Sequence, residues 1–419
     1  MIRRQAGFSL VELMITMVVF VFFIVAASQV FTGLLTQFKQ QSKMAETNIE
    51  GIVGLEMLRQ DVEHAGYGLP WYVEIDGDGD RNDWEQLTIY SESSTNPYSL
   101  NDAGSTAPRA VLSENSATFT GPNSIFDGSD YLVIKAVNVG RNDACNKWTN
   151  LKAAPFTSPF NPREWTPALT PPQGEDLAPT DRVIVLRPGS TDANGRTLVV
   201  DTSSSSFSTT FSSITSSPWP PTDLTETRIV YGIKPIGSPA SNPRMPFNRA
   251  DYVVRRFDSV GTNITPGRCA PNTGVLEKAV VNHGDGAFSY LPLLDCVADM
   301  QVIFGLDRNT NGIIGTYTDG DTDITWPSGT PDESVDHADV TASFADAATL
   351  RQRVREVRVY ILAHEGQRDV NYTYPTNPIT VGEFGLGRSF NFVTAGITNW
   401  QNYRWKIYTI VLKPTNLLR

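Results

Sequence analysis

The sequence predicts an α+β protein in which one long N-terminal helix precedes a β-rich body with an antiparallel sheet and long loops. Two observations predict the helix: no charged residue occurs between Leu13 and Phe38, and no proline precedes Pro70. A third predicts the body. After Pro70, short β-branched segments alternate with turn residues, in a chain that holds 27 Pro and 32 Gly.

Composition excludes several classes of protein. With 40% hydrophobic and 19% charged residues, the chain is globular rather than disordered, rod-like or many times membrane-spanning. Its net charge of −11 repels phosphate backbones, so no nucleic acid partner is expected. Three cysteines are too few for a disulfide-built scaffold.

The apolar run is long enough to cross a bilayer, for which a helix needs about 20 residues. Arg3 and Arg4 precede it, and positive charge tends to stay on the cytoplasmic side, so we expect the body outside the cytoplasm. A secretory signal peptide is the alternative. The run exceeds the usual signal core, however, and no small-x-small cleavage site follows it.

Glu12 stands within this apolar stretch. A carboxylate in hydrocarbon costs roughly 2.5 kcal/mol or more unless it is paired or lies near the interface. Such a costly residue indicates a function. The alternative is a shallow position at headgroup depth with no role.

The segment from Arg3 to Glu12 resembles the leader and cleavage site of type IV prepilins. This resemblance implies that a prepilin peptidase cuts after Gly7, that the new N-terminal Phe8 is N-methylated, and that Glu12 acts in assembly. In a bundle of staggered helices, the Glu12 carboxylate would meet the Phe8 amine of a neighbouring subunit, which costs less than a lone buried carboxylate. The alternative is an uncleaved signal anchor.

The chain is interpreted as five segments: a leader at 1–7, a transmembrane or filament-core helix at 8–38, an amphipathic helix at 39–68, a β-rich, loop-heavy region at 69–290 and a C-terminal β region at 291–419. One face of the amphipathic helix is formed by Leu55, Leu58, Val62 and Ala65. The predicted strands are Gln86–Tyr90, Asp130–Val137, Arg182–Arg187, Thr227–Lys234, Asp251–Phe257, Val275–Val281, Cys296–Leu306, Arg355–Ala363 and Trp405–Lys413.

Residues 58–67, 297–312 and 350–362 are similar to segments of PilW-like minor pilins. The stretch from 140 to 225 carries less of this similarity, which suggests an insertion. The resemblance implies an inner-membrane prepilin of a Gram-negative cell, with a periplasmic head. Its partners would be prepilin peptidase, the assembly platform, and other minor and major pilins, with which it primes or tips a type IV pilus and reaches the cell surface.

Two acidic loops match part of a calcium-binding template. The predicted ligands are Glu74, Asp76, Asp78, Asn82 and Glu85 in the first loop, and Asp307, Asn309, Asn311 and Asp319 in the second. Clustered hard oxygens on tight turns suit Ca²⁺ and no soft metal. The alternative is a pair of solvated acidic turns.

Cys269 and Cys296 are predicted to form a disulfide in a periplasmic domain, although Cys145 competes and three free thiols are the alternative. The sequence has no Cys-x-x-Cys-His for haem, no Walker loop for a nucleotide, and no Gly-x-Ser-x-Gly or His-Glu-x-x-His. We therefore expect a structural protein, not an enzyme.

Two other functions compete with the minor pilin. A minor pseudopilin of a type II secretion system would share the leader, the helix and the use of calcium. A pilus-tip adhesin would bind a surface or glycan through its enlarged middle region, where Trp148, Trp165 and Trp219 are candidate contacts. An anchored hydrolase would need a catalytic cleft that no motif indicates.

Overall fold

A computed structural model describes residues 9–94, 100–104, 106–115, 128–140, 142–156, 162, 176–189, 195–236, 242–307, 314, 334–336, 346–383 and 386–417. It confirms the predicted fold class, since a long helix leads into a β-rich head with antiparallel sheets.

The two helices are α1 (Leu10–Glu63) and α2 (Ala347–Arg353). The strands are β1 (Tyr72–Val73), β2 (Val111–Asn115), β3 (Asp130–Ala136), β4 (Trp148–Lys152), β5 (Arg182–Arg187), β6 (Thr197–Leu198), β7 (Thr209–Thr210), β8 (Thr227–Lys234), β9 (Asn248–Arg255), β10 (Gly274–Val281), β11 (Phe288–Leu306), β12 (Ser334–Asp336), β13 (Val354–Glu365), β14 (Ile379–Val381), β15 (Arg388–Phe390) and β16 (Arg404–Leu412).

Helix α1 has 54 residues and is therefore about 80 Å long at 1.5 Å per residue. It ends at Glu63, shortly before Gly66 and Gly68, which adopt the positive φ angles of 80° and 63° that favour glycine. The sequence predicts helix over 8–38 and 39–68; the observed helix covers most of this range but ends five residues earlier, at Glu63.

The larger sheet carries α1 on one face. Its strand order is β16-β13-β11-β10-β9-β3-β2, with β12 paired to β11, and all neighbours are antiparallel. The head half of α1 contacts β11, β13 and β16. The predicted apolar face is confirmed, since Leu55, Leu58, Val62 and Ala65 are all buried in the main core.

A second sheet combines β4, β5, β6 and β7 from the stretch interpreted as an insertion with β1 and β8, which lie outside that stretch. Its order is β1-β6-β5-β8-β4, with β7 also paired to β5. It has a small core of its own, in which Val183, Val185, Val230 and Trp219 are buried. Strands β14 and β15 form a separate two-stranded sheet. This sheet packs on a second cluster of buried residues, which is rich in aromatic side chains.

The structure corrects two predictions about the head. Strand β11 starts at Phe288 and crosses the segment boundary set at 290, so strands from both sides share one sheet. Gln86–Tyr90 is not a strand: a short 3₁₀ helix covers Asp83–Gln86 and a turn follows, because Trp84, Leu87 and Tyr90 all turn into the core. The polar strands β2 and β4 were missed.

Candidate functional site

The start of α1 is the first part of the candidate site. Ser9 is the N-cap, and its Oγ accepts a hydrogen bond of 3.3 Å from the backbone N–H of Glu12. Ser9 and Glu12 therefore have the spacing of a capping box. In addition, an acidic residue in the first turn interacts favourably with the positive end of the helix dipole and stabilises the helix. That motif is readable in the sequence and was missed. Gly7 and Phe8 lie outside the described residues.

The membrane-facing half of α1 presents a continuous apolar surface. Residues Leu10–Leu35 form a segment of 26 residues that is long and apolar enough to cross a membrane, and none of its most apolar window is buried in the head. The Glu12 side chain is exposed on this surface. An exposed apolar helix of this length needs lipid or other helices around it.

Residues 2–28 match the protein family described as the prokaryotic N-terminal methylation motif. Together with the exposed apolar helix, this match supports a type IV pilin-like protein. The match points to a structural role, with pilins and prepilin peptidase as partners in general terms. The apolar helix is a candidate membrane anchor. Neither a curated protein nor a solved structure matches the chain.

The contact between α1 and the head is the second part of the site. A Cβ on Gly54 would lie far inside van der Waals contact with the backbone of Leu293 in β11, whereas one on Gly51 would meet only the tip of Leu294, 2.9 Å away. Glycine in the interior of a helix is ordinarily destabilising. The structure shows instead that Gly54 lets the helix backbone pack directly on the strand.

A polar contact fixes the end of α1 on the same sheet. Asp61 accepts a hydrogen bond from the Tyr252 hydroxyl of β9 and forms an ion pair with Lys278 of β10. Burial raises the pKa of Asp61, and Lys278 opposes this change. Because Asp61 is largely buried, its negative charge requires Lys278 as a counter-ion. This contact fixes the position of α1 on the sheet.

A buried charge cluster lies behind the sheet face that carries α1. It consists of the cations Arg109, Lys135 and Arg249 and the carboxylates of Glu92, Asp102 and Asp251. Lys135 Nζ lies 2.8 Å from Glu92 and 2.5 Å from Asp102, and all three side chains are fully buried. Three charges of each sign therefore balance inside the head.

The cluster ties the segment between β1 and β2 to the large sheet. Burial opposes ionisation of Glu92, but Lys135 and Arg249 lower its pKa to about 2. Two hydroxyls complete the network, since Tyr90 donates to Glu92 at 2.6 Å and Tyr131 donates to Asp251 at 2.7 Å. Glu92 thus stays ionised down to acid pH while it is paired.

The first acidic loop bonds mainly to itself. Asp76, Asp78 and Asp80 each accept a hydrogen bond from the backbone N–H two residues ahead, at 3.2, 2.7 and 3.0 Å. Among the described residues, no three carboxylates here have oxygens within 4.8 Å of one another. The side chains of Glu74, Asp76, Asp78, Asn82 and Glu85 therefore do not form a ready-made ion site, and calcium binding stays a prediction.

The second acidic loop is described only at its start. Asp307 is fully buried, and its Oδ2 accepts hydrogen bonds from Arg355 at 3.0 and 2.7 Å. An ion at Asp307 would compete with that guanidinium. Asn309, Asn311 and Asp319 lie outside the described residues, so calcium stays a prediction here too.

The predicted cysteine pair is bonded in the structure. Cys269 and Cys296 form a disulfide with Cα atoms 4.9 Å apart, and Cys145 is free and buried. The disulfide joins the loop before β10 to β11, beside the buried His364. Burial lowers the pKa of His364 to about 3, and its Nε2 accepts a hydrogen bond of 2.8 Å from Ala270. Because both sulfurs are bonded, this group does not offer three metal ligands.

The two described candidate adhesin tryptophans, Trp148 and Trp219, do not share a surface. Trp219 is only 5% exposed and belongs to the core of the second sheet. Trp148 starts strand β4 and is 36% exposed. Trp165 lies outside the described residues. Among the described candidate tryptophans, Trp148 alone is exposed enough to contact a ligand.

We expect Asp299→Asn to change the pH dependence of stability. Burial raises the pKa of Asp299 to about 7, against the opposing effect of Arg388 at 3.6 Å. From about pH 4 to 7 the folded chain thus holds a proton that the unfolded chain releases. The free energy of unfolding should fall as pH rises across this interval, by up to about 1.4 kcal/mol per unit.

In Asp299→Asn this decline should be reduced, and the variant should gain stability relative to the parent as pH rises to 7. Denaturant unfolding of both full chains in detergent, at pH steps from 4.5 to 8, measures the difference. Parallel curves for the two chains would show that Asp299 does not titrate in this range.

Proposed function

We propose that this chain is a PilW-like minor pilin, which joins other pilin-like subunits in a complex that primes or tips a type IV pilus. The observation that supports it best is the methylation motif in front of an exposed apolar helix whose far half is built into a β-rich head. After cleavage behind Gly7 the head would lie in the periplasm and the helix in the inner membrane, until the subunit enters the filament.

The physical basis is the state of Glu12 before and after assembly. Alone in the membrane, its carboxylate is stabilised only by the first turn of α1 and by the interface. In a helix bundle, a neighbouring subunit's Phe8 amine supplies the missing positive charge. Because an ion pair in hydrocarbon costs less than a single charge, docking at the correct stagger is favoured over any other.

The same helix and motif support a minor pseudopilin of a type II secretion system as well. The genes that neighbour the gene for this chain would distinguish the two functions. They would encode either the other parts of a type IV pilus or the other parts of a type II secretion system. We place the pilus first because residues 58–67, 297–312 and 350–362 are similar to PilW-like segments.

Glu12→Gln tests the proposal. Glutamine keeps the size of the side chain and suits a capping box, so membrane insertion and leader removal should be unchanged. Incorporation into sheared filaments should fall about tenfold or more, which corresponds to roughly 1.4 kcal/mol of lost association energy. Immunoblots of the sheared and membrane fractions give the ratio.

Glu56→Gln is the matched control, because Glu56 lies on the same helix and its pairing with Arg59 at 3.9 Å is largely exposed. That variant should incorporate at the parental level. Parental incorporation of Glu12→Gln would instead show that the charge at position 12 has no part in assembly.

A further inference from the structure

Strand β16 is the outer strand of the large sheet. It pairs with β13 along its whole length, from Arg404 opposite Glu365 to Leu412 opposite Val357, without a register shift. No backbone hydrogen bond of the described residues uses its other side. Within the described part of the chain, alternate N–H and C=O groups along these nine residues therefore have no strand partner, as in a template for strand addition.

This edge lacks two of the devices that usually protect an edge strand. It contains no proline and no bulge. Its one lysine, Lys406, is held over the sheet by Glu365 at 3.1 Å and by the Tyr408 ring at 4.6 Å. The apolar side chains of Ile407 and Ile410 are half-buried, and Val411 is 49% exposed. An incoming strand would cover them.

The edge is continuous with the helix that the proposed function uses for assembly. Helix α1 contacts β16, and just beyond the strand Thr415 donates its N–H and hydroxyl to the Glu63 carbonyl at the end of α1, both at 3.2 Å. On the free surface of α1 beside the head, Ile52 and Val53 are 58% and 63% exposed. A helix packed there brings a second head alongside β16.

We propose that β16 is an interaction surface that accepts an edge strand from the head of a second pilin-like subunit, which extends the large sheet. This inference rests on the proposed function, because the neighbouring helix delivers that strand. Main-chain hydrogen bonds give the affinity, and the alternating side chains of the added strand contact Ile407, Ile410 and Val411. The stagger between the α1 helices and the register of the strand added to β16 then select the same neighbouring subunit.

Photocrosslinking in cells tests this surface. The full chain, with p-benzoylphenylalanine at the exposed Thr409, should give a crosslinked product on irradiation, and peptide mapping should identify the partner as a chain with its own N-terminal methylation motif. Val411→Lys should reduce the product about tenfold, because a lysine beside the edge must stay solvated. Val260→Lys, which makes the same change at a site that is 84% exposed, should leave it unchanged.

Three results would overturn the proposal: no product, a product with a partner that lacks the motif, or an equal product in Val411→Lys. The filament fraction of the same cells separates this failure from that of the proposed function. If the chain enters filaments without a Thr409 product, only the strand surface is wrong. If the chain never enters filaments, the proposed function and this inference are both wrong. Equal melting temperatures for the two lysine variants exclude a folding defect.

Discussion

Lys135→Met should remove about 3–5 kcal/mol from the free energy of unfolding of the head. Methionine fills a similar volume but removes the cation that Glu92 and Asp102 share at 2.8 and 2.5 Å. The buried cluster then holds two cations and three carboxylates. Breaking a buried pair from one side is costly because the remaining charge has no solvent to stabilise it.

Chemical denaturation of the full chain in detergent measures this loss, since all eight tryptophans follow α1 and report on the head. Lys406→Met is the control. Its ion pair with Glu365 is largely exposed, at 48% for the lysine, so its removal should cost at most about 1 kcal/mol. Similar losses in both variants would mean that the cluster contributes no more than a surface pair.

Gly54→Ala should destabilise the head by about 1–3 kcal/mol, even though alanine is the better helix former. In a free helix this substitution gains roughly 0.5–1 kcal/mol. Here the new methyl group would overlap the Leu293 backbone of β11. The residues on either side of Leu293 pair with β10, so this part of the strand cannot retreat without breaking that ladder. Helix α1 must therefore lift from the sheet and lose part of its packing.

Gly51→Ala makes the same change one turn earlier on the same helix. Its methyl group would meet only the Leu294 side-chain tip, which can rotate away, so the variant should be as stable as the parent or slightly more stable. Changes of opposite sign in the free energy of unfolding of the two variants would indicate direct contact between helix and strand at Gly54. A stabilised Gly54→Ala chain would show that α1 is seated further from β11.

Local patterns were sufficient to predict most of the fold. A long uncharged run with an amphipathic continuation indicates one helix, and Leu55, Leu58, Val62 and Ala65 mark its buried face. Apolar runs such as Arg182–Arg187 and Thr227–Lys234 coincide with observed strands. These features depend on residues close together in the chain, so a single sequence contains them.

What could not be predicted depends on partners far apart in the chain. Lys135 lies in a strand of apolar appearance, and Arg249 lies just before the predicted strand Asp251–Phe257. Nothing nearby in the sequence shows that Glu92 and Asp102 will take part in neutralising them. The packing role of Gly54 could not be predicted because Leu293, its contact, is far along the sequence. Strand β2 was missed because its Ser-Glu-Asn end is polar, although pairing with β3 makes it a strand.

The candidate site also has parts that could be predicted from the sequence and parts that could not. Glu12 and the motif around it could be found from the sequence, because residues 2–28 form one continuous pattern. The capping role of Ser9 was also available there. The seat of α1 on β11 and the free edge of β16 could not be found, since both arise only when the large sheet is assembled.

The intact mass of the chain, isolated from the membranes of cells that produce it natively, tests the central claim most directly. The account predicts a protein that lacks residues 1–7, begins at Phe8 and carries one methyl group on its terminal nitrogen. A mass that retains Met1 to Gly7 would contradict it, because the amine that Glu12 needs would then not exist.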